Sequence, residues 1–121
     1  MRGLNEYITV DESRQDNLRP TSKKELKELI RRRMNEQGPR CDLNDIDVSN
    51  VKYMCYMFTN SKFNKDISKW DVSNVRDMDS MFERSSFKKN IRKWDTSRVE
   101  SMKDIFKGSP LANNKPKWHR S

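Results

Sequence analysis

The chain has 121 residues, of which 36% are charged and only 32% hydrophobic, with a net charge of +8. That size suggests one domain with a thin core, and no stretch approaches the ~18 consecutive apolar residues of a membrane span. The start, MRGLNEYITVDES, lacks the basic-then-apolar pattern of a secretory signal, which predicts a cytoplasmic protein with its two cysteines, Cys41 and Cys55, as free thiols.

Residues 1–20 are weakly patterned; Tyr7, Ile8 and Val10 could add a strand. The run TSKKELKELIRRRMNEQGP then predicts one helix. Ser22 caps it, Glu25 completes a capping box, and Gly38 with Pro39 stops it. Leu26, Leu29, Ile30 and Met34 share one face. Its cations alternate with Glu25, Glu28 and Glu36, an ordinary solvated face, so the helix is expected to cap the open end of the repeats downstream of it.

From about Asp42 the chain repeats itself every 24 residues. Columns align as Asp47, Asp71, Asp95; Ser49, Ser73, Ser97; Val51, Val75, Val99; Met54, Met78, Met102; Met57, Met81, Ile105; and Phe58, Phe82, Phe106. Phe63, Phe87 and Leu111 extend the match, Ile67 pairs with Ile91, and Trp70, Trp94 and Trp118 close the unit. A period of this length signals stacked repeats whose Met, Phe and Trp columns form the core. Val75, Met78, Met81 and Phe82 are spaced as one face of a short helix, with Ser73 as its N-cap and Ser97 with Glu100 as a capping box in the last unit. Ile67, Trp70 and Val72 read as the strand signature of leucine-rich repeats. The predicted fold is therefore an α/β solenoid of the leucine-rich-repeat-like kind. Strand–turn–short-helix coils stack in parallel over residues 41–121 (about three and a half coils), behind an N-terminal segment and capping helix at 1–40.

The stretch FNKDISKWDVSNVRDMDSMF resembles the tandem repeats of the BspA-like, Mycoplasma-lipoprotein-associated family of bacterial surface proteins. The resemblance spans about 42–118. It implies a repeat architecture, a binding or structural role, no catalytic site to carry over, and for many relatives a place on the cell surface.

Chemistry-bearing motifs are sparse. The Asp column recurs in every unit, as structural residues do, and is expected to accept hydrogen bonds from turn backbone rather than hold metal. The only histidine is His119; there is no nucleophile elbow, phosphate-cradling glycine loop or zinc-ligand spacing. No enzyme activity, cofactor, metal or small-molecule substrate is expected. Charge is more informative. Residues 84–94 carry Arg84, Lys88, Lys89, Arg92 and Lys93 and no acid; residues 105–121 carry Lys107, Lys115, Lys117 and Arg120 and no acid. These two stretches together exceed the chain's net +8. Lys62, Lys65 and Lys69 should lie on the same side. Candidate partner-binding residues are thus Lys65, Lys69, Arg84, Lys88, Lys89, Arg92, Lys93, Lys115 and Lys117. The predicted function is a monomeric, non-enzymatic module that binds another macromolecule, a protein or ribonucleoprotein, with direct nucleic-acid contact as a variant of that reading. Two alternatives stand beside it: an inhibitor from a phage or mobile element acting on a host nucleoprotein such as a CRISPR effector, and a surface adhesion protein.

Overall fold

The computed structural model describes residues 18–120, so the expected strand at Tyr7, Ile8 and Val10 lies outside the described residues. The helix forms as read: α1 spans Lys23–Gln37, with the Ser22 hydroxyl accepting from the Glu25 amide at 3.1 Å. Glu25 accepts from the Thr21 amide at 2.8 Å, one residue beyond the Ser22 cap expected for the box. Gly38 ends the helix at φ 83°, a left-handed position that glycine adopts without a Cβ clash, and donates its amide to the Met34 carbonyl.

Leu26, Leu29 and Ile30 of α1 are buried in one core with the repeat columns. The helix is tied to the first unit. The Arg33 guanidinium forks onto both Asp45 oxygens at 2.9 Å, with a third bond to the Asp42 carbonyl. The Pro39 carbonyl takes the Asn64 amide, and the Leu18 carbonyl takes that of Asp47.

The repeats beyond α1 do not form the expected α/β solenoid, and the leucine-rich-repeat likeness fails with it. Among the described residues, α1 and a 3-10 turn at Pro110–Asn113 are the only helical elements, and there is no sheet. Strand pairing is limited to two isolated parallel bridges, Tyr53 with Asp77 and Asp77 with Ser101. The rest of each unit is turns.

Two local causes explain the difference. Where a strand was expected, short polar side chains fold the backbone back on itself. The carboxylates of Asp42, Asp66 and the amide oxygen of Asn90 each accept the backbone N–H two residues on, at 2.8–2.9 Å. Asp47, Asp71 and Asp95 do the same with Ser49, Ser73 and Ser97, at 3.0 Å. Each such contact imitates a turn and competes with the extended conformation. Ser73 therefore gives its hydroxyl to Asp71 at 2.6 Å and starts no helix.

Where a short helix was expected, left-handed residues interrupt it. Tyr56, Ser80 and Asp104 have φ of 61°, 55° and 57°; Asn60, Arg84 and Gly108 have φ of 58°, 53° and 71°. A left-handed residue costs roughly 1–2 kcal/mol and cannot continue a right-handed helix. In its place, odd and even amides part company. Those of Met57, Thr59 and Ser61 close local turns onto Met54, Tyr56 and Phe58. Those of Met54, Tyr56, Phe58 and Asn60 cross to Asp77, Asp79, Met81 and Glu83 of the next unit. The pattern recurs from Met78, Ser80, Phe82 and Arg84 to Ser101, Lys103, Ile105 and Lys107.

The core columns are buried as read, except that Trp118 in the last unit is only half-buried against the core. Phe58, Phe63, Phe82, Phe87 and Phe106 are all at most 1% exposed, which accounts for every phenylalanine in the chain. Their rings stack between units: Phe58 on Phe82 at 5.5 Å, Phe82 on Phe106 at 5.9 Å, Phe63 on Phe87 at 6.1 Å. Fully burying one such side chain stabilises by about 1.5–3 kcal/mol. A modest apolar fraction suffices because each ring covers its neighbour in the next unit. No helix among the described residues is long and apolar enough to cross a membrane.

Candidate functional site

The polar turns that displace the strand also aim the cations. Asp66 folds the chain so that Ser68 and Lys69 stand outward, and Asn90 does so for Arg92 and Lys93 one unit later. Repetition then sets Lys69, Lys93 and Lys117 in one exposed column.

Two open hollows border this column. One, of about 580 Å³, is lined by Lys69, Lys89 and Lys93 with Asp66, Ser68 and Asn90. The other, of about 460 Å³, is lined by Lys88, Lys89, Arg92, Lys115 and Lys117, with Asn90, Asn114, Pro116, Ile91 and Leu111 forming the remainder. Lys89 and Asn90 belong to both, so the hollows form one continuous basic face.

None of these cations is in an ion pair with a described residue; the side-chain pairs are Arg31 with Glu28, Arg33 with Asp45 at 2.9 Å, and Arg84 with Glu83 at 3.2 Å. Like charges a few ångströms apart repel by about 1 kcal/mol per pair in water, and a crowd of them sets up a positive field over the surface. Asp66 is the one carboxylate in the hollows. The Ser68 amide and hydroxyl hold its pKa below the ordinary carboxylate range, helped by Lys69 and Lys89. It stays ionised at neutral pH and offsets part of the local charge.

The expected residues do not all gather here. Lys69, Lys88, Lys89, Arg92, Lys93, Lys115 and Lys117 do. Arg84 lines neither hollow; it sits in the left-handed column and pairs with Glu83. Lys65 also lines neither; its field reaches the thiol of Cys41, whose pKa burial pushes up.

The Asp column is committed to its turns. Each of Asp47, Asp71 and Asp95 accepts from the serine two residues on, and no group of three or more potential ligands that could hold a metal occurs among the described residues. Cys41 and Cys55 are free thiols. The Lys23 ammonium lies 3.3 Å from the Cys55 sulfur and 5.4 Å from the centre of the Tyr56 ring.

Sequence reasoning passed over Tyr53 and Tyr56, which are 53% and 51% exposed. The signal was present: both break columns otherwise held by small or acidic residues, Asp77 and Ser101 in one, Ser80 and Asp104 in the other.

Comparison with known proteins bears on the family and not on the partner. The family model described as "Mycoplasma protein of unknown function, DUF285" matches residues 25–120. No curated protein matches the chain, and no solved structure does.

Proposed function

We propose, for a chain that belongs to this Mycoplasma family of unknown function, DUF285, a non-enzymatic role: binding an acidic macromolecular partner, a protein or a nucleoprotein, through the basic face. The observation that carries the reading is the run of cations around the two joined hollows, none in a direct ion pair with a described residue and with Asp66 the one acid among them. Solubility alone is served by dispersed charge of both signs; a single-sign concentration costs self-repulsion and instead raises the local concentration of an oppositely charged partner. The hollows are open and shallow, lined by long flexible side chains, which suits an extended surface better than a small molecule held on all sides.

The test is an affinity capture with the tagged chain, with and without nuclease, beside a variant carrying Lys88→Glu, Lys89→Glu, Arg92→Glu and Lys93→Glu. A near-stoichiometric partner that resists nuclease and is lost from the variant supports a protein surface. Recovery that vanishes with nuclease supports a nucleic-acid component, and its affinity should then fall steeply with salt as bound counterions are released. Equal recovery by wild type and variant would dismiss the basic face as a binding site.

A further inference from the structure

The last unit presents a row of backbone donors for which the described chain offers no acceptor. In the first unit the amides of Met54, Tyr56, Phe58 and Asn60 donate to the next unit at 2.8–3.0 Å, and in the second those of Met78, Ser80, Phe82 and Arg84 do so at 2.7–2.9 Å. The equivalent amides of the third unit belong to Met102, Asp104, Phe106 and Gly108. None of them donates to a described residue, although the amides between them, of Ile105, Lys107 and Ser109, close the usual local turns. Asp104 and Gly108 repeat the left-handed backbone of Ser80 and Arg84, so the row is already set in the donating conformation.

A hollow of about 330 Å³ lies over this row, lined by residues 102–107 and flanked by Ala112, Lys115 and His119. Phe106 is 1% exposed, so its amide is largely cut off from water as well. An amide buried without an acceptor is destabilising, which favours any partner that brings a carbonyl. Lys103, Lys107 and Lys115 make the rim basic, with Asp104 the one acid in it.

A second copy of this chain fits poorly. The complementary edge, the carbonyl side of the first unit, is where α1 packs, with Lys23 against Cys55 and Tyr56. End-to-end docking of two copies would require α1 to leave.

We propose that this row is a docking edge for an acidic segment of a partner protein that takes up the same overlapping turns. The segment adds itself as the next rung. Carbonyls at alternate residues accept from the amides of Met102, Asp104, Phe106 and Gly108, and its acidic side chains meet Lys103 and Lys107. This is edge pairing of the kind by which sheets recruit peptides, transferred to a ladder made of turns. It adjoins the basic hollows at Lys115, which lines both, and shares no other residue with them.

The probe is a synthetic peptide with the sequence of residues 72–87. It carries the carbonyls of Asp77, Asp79, Met81 and Glu83 that fill this role within the chain, together with those three acids. Amide hydrogen exchange is followed by NMR on the full chain. The amides of Met78, Ser80, Phe82 and Arg84 should be slow throughout; those of Asp104 and Gly108, the two exposed residues of the row, should be fast alone and slow roughly tenfold or more when peptide binds. Lys103→Glu with Lys107→Glu, both exposed, should weaken binding by roughly tenfold. The four-fold variant of the basic hollows should bind the peptide as wild type does. The proposal is overturned if the amides of Asp104 and Gly108 are already protected in the free chain, if protection appears elsewhere, if a scrambled peptide binds equally, or if only the hollow variant loses binding.

Discussion

The indole N–H of Trp94 donates to the main-chain carbonyl of Ile67 at 3.1 Å, reaching back 27 residues into the preceding unit. Trp70 makes the same bond to Leu43 and Trp118 to Ile91. Each tryptophan is thus both a core side chain and a rivet between units. Trp94→Phe keeps most of the apolar surface and leaves the Ile67 carbonyl with the Trp70 amide as its one remaining donor. The expected loss is about 1 kcal/mol, from the lost cross-unit bond plus the lost ring volume. Urea unfolding checks it; a midpoint within error of wild type would mean that the bond contributes nothing net.

The left-handed column of Asn60, Arg84 and Gly108 makes glycine and arginine substitutions asymmetric. At Gly108, with φ 71°, an added Cβ would lie 3.2 Å from the Arg84 Cγ. Gly108→Ala should cost about 1 kcal/mol, combining backbone strain with that contact. Arg84→Gly relieves the left-handed backbone at φ 53° and gives up a pair in which the Glu83 side chain is only 14% exposed, opposing effects that should leave stability within about 1 kcal/mol of wild type. Thermal unfolding of both variants checks the contrast.

Acid should loosen the units together. Asp45 is held below the ordinary carboxylate range, chiefly by its hydrogen bonds from Arg33; Asp47 and Asp95 by the hydroxyls of Ser49 and Ser97; Asp66 by the Ser68 amide. Depressed carboxylates contribute stability that is present above the unfolded value, near about pH 4, and lost as pH falls through the lower folded values. Denaturant midpoints should therefore be flat near neutrality and decline below about pH 4. Replacing Asp45 with Asn should shallow that decline.

Asp66→Asn separates turn from charge. Asn90, at the same place in the next unit, accepts the Arg92 amide at 2.9 Å, so an asparagine can hold this turn. The substitution removes the one carboxylate from the basic hollows. Stability should stay within about 0.5 kcal/mol of wild type, while affinity for an acidic partner rises a few-fold. Binding isotherms at two salt concentrations check it, the gain shrinking at the higher one.

The helix and the buried columns were legible in the chain, whereas the fold class was not. Ser22 and the Gly38–Pro39 pair marked the ends of α1, and the Met, Phe and Trp columns marked the core. The local backbone was not legible, for definable reasons. An Asp-x-Ser triplet reads equally as a helix cap or as a closed turn, and in Asp71 to Ser73 the turn won. The spacing of Val75, Met78, Met81 and Phe82 buries those side chains whether the chain coils or makes overlapping turns. Gly108, Asn60 and Asp104 are residue types that tolerate left-handed backbone; Tyr56, Ser80 and Arg84 adopt it without any such signal. In the basic face, column spacing placed Lys69, Lys93 and Lys117 together, whereas Lys65 and Arg84 fell elsewhere because charge density along a chain does not say which wall of a unit a residue occupies.

The reach of the cross-unit bonds also governs how the gene for such a chain can change length. The Trp bonds span 27 residues, and other links, such as Lys88 to Asn64 and Arg98 to Asn74, span 24. One residue inserted between Ile67 and Ile91 puts every bond that spans the insertion out of step at once, Trp94 to Ile67 among them. Removing or duplicating 24 residues restores all of them, because the same column letters meet again. Length variation within this protein is therefore expected to be quantised: whole units gained or lost between residues 42 and 118, and single-residue changes confined to the tails.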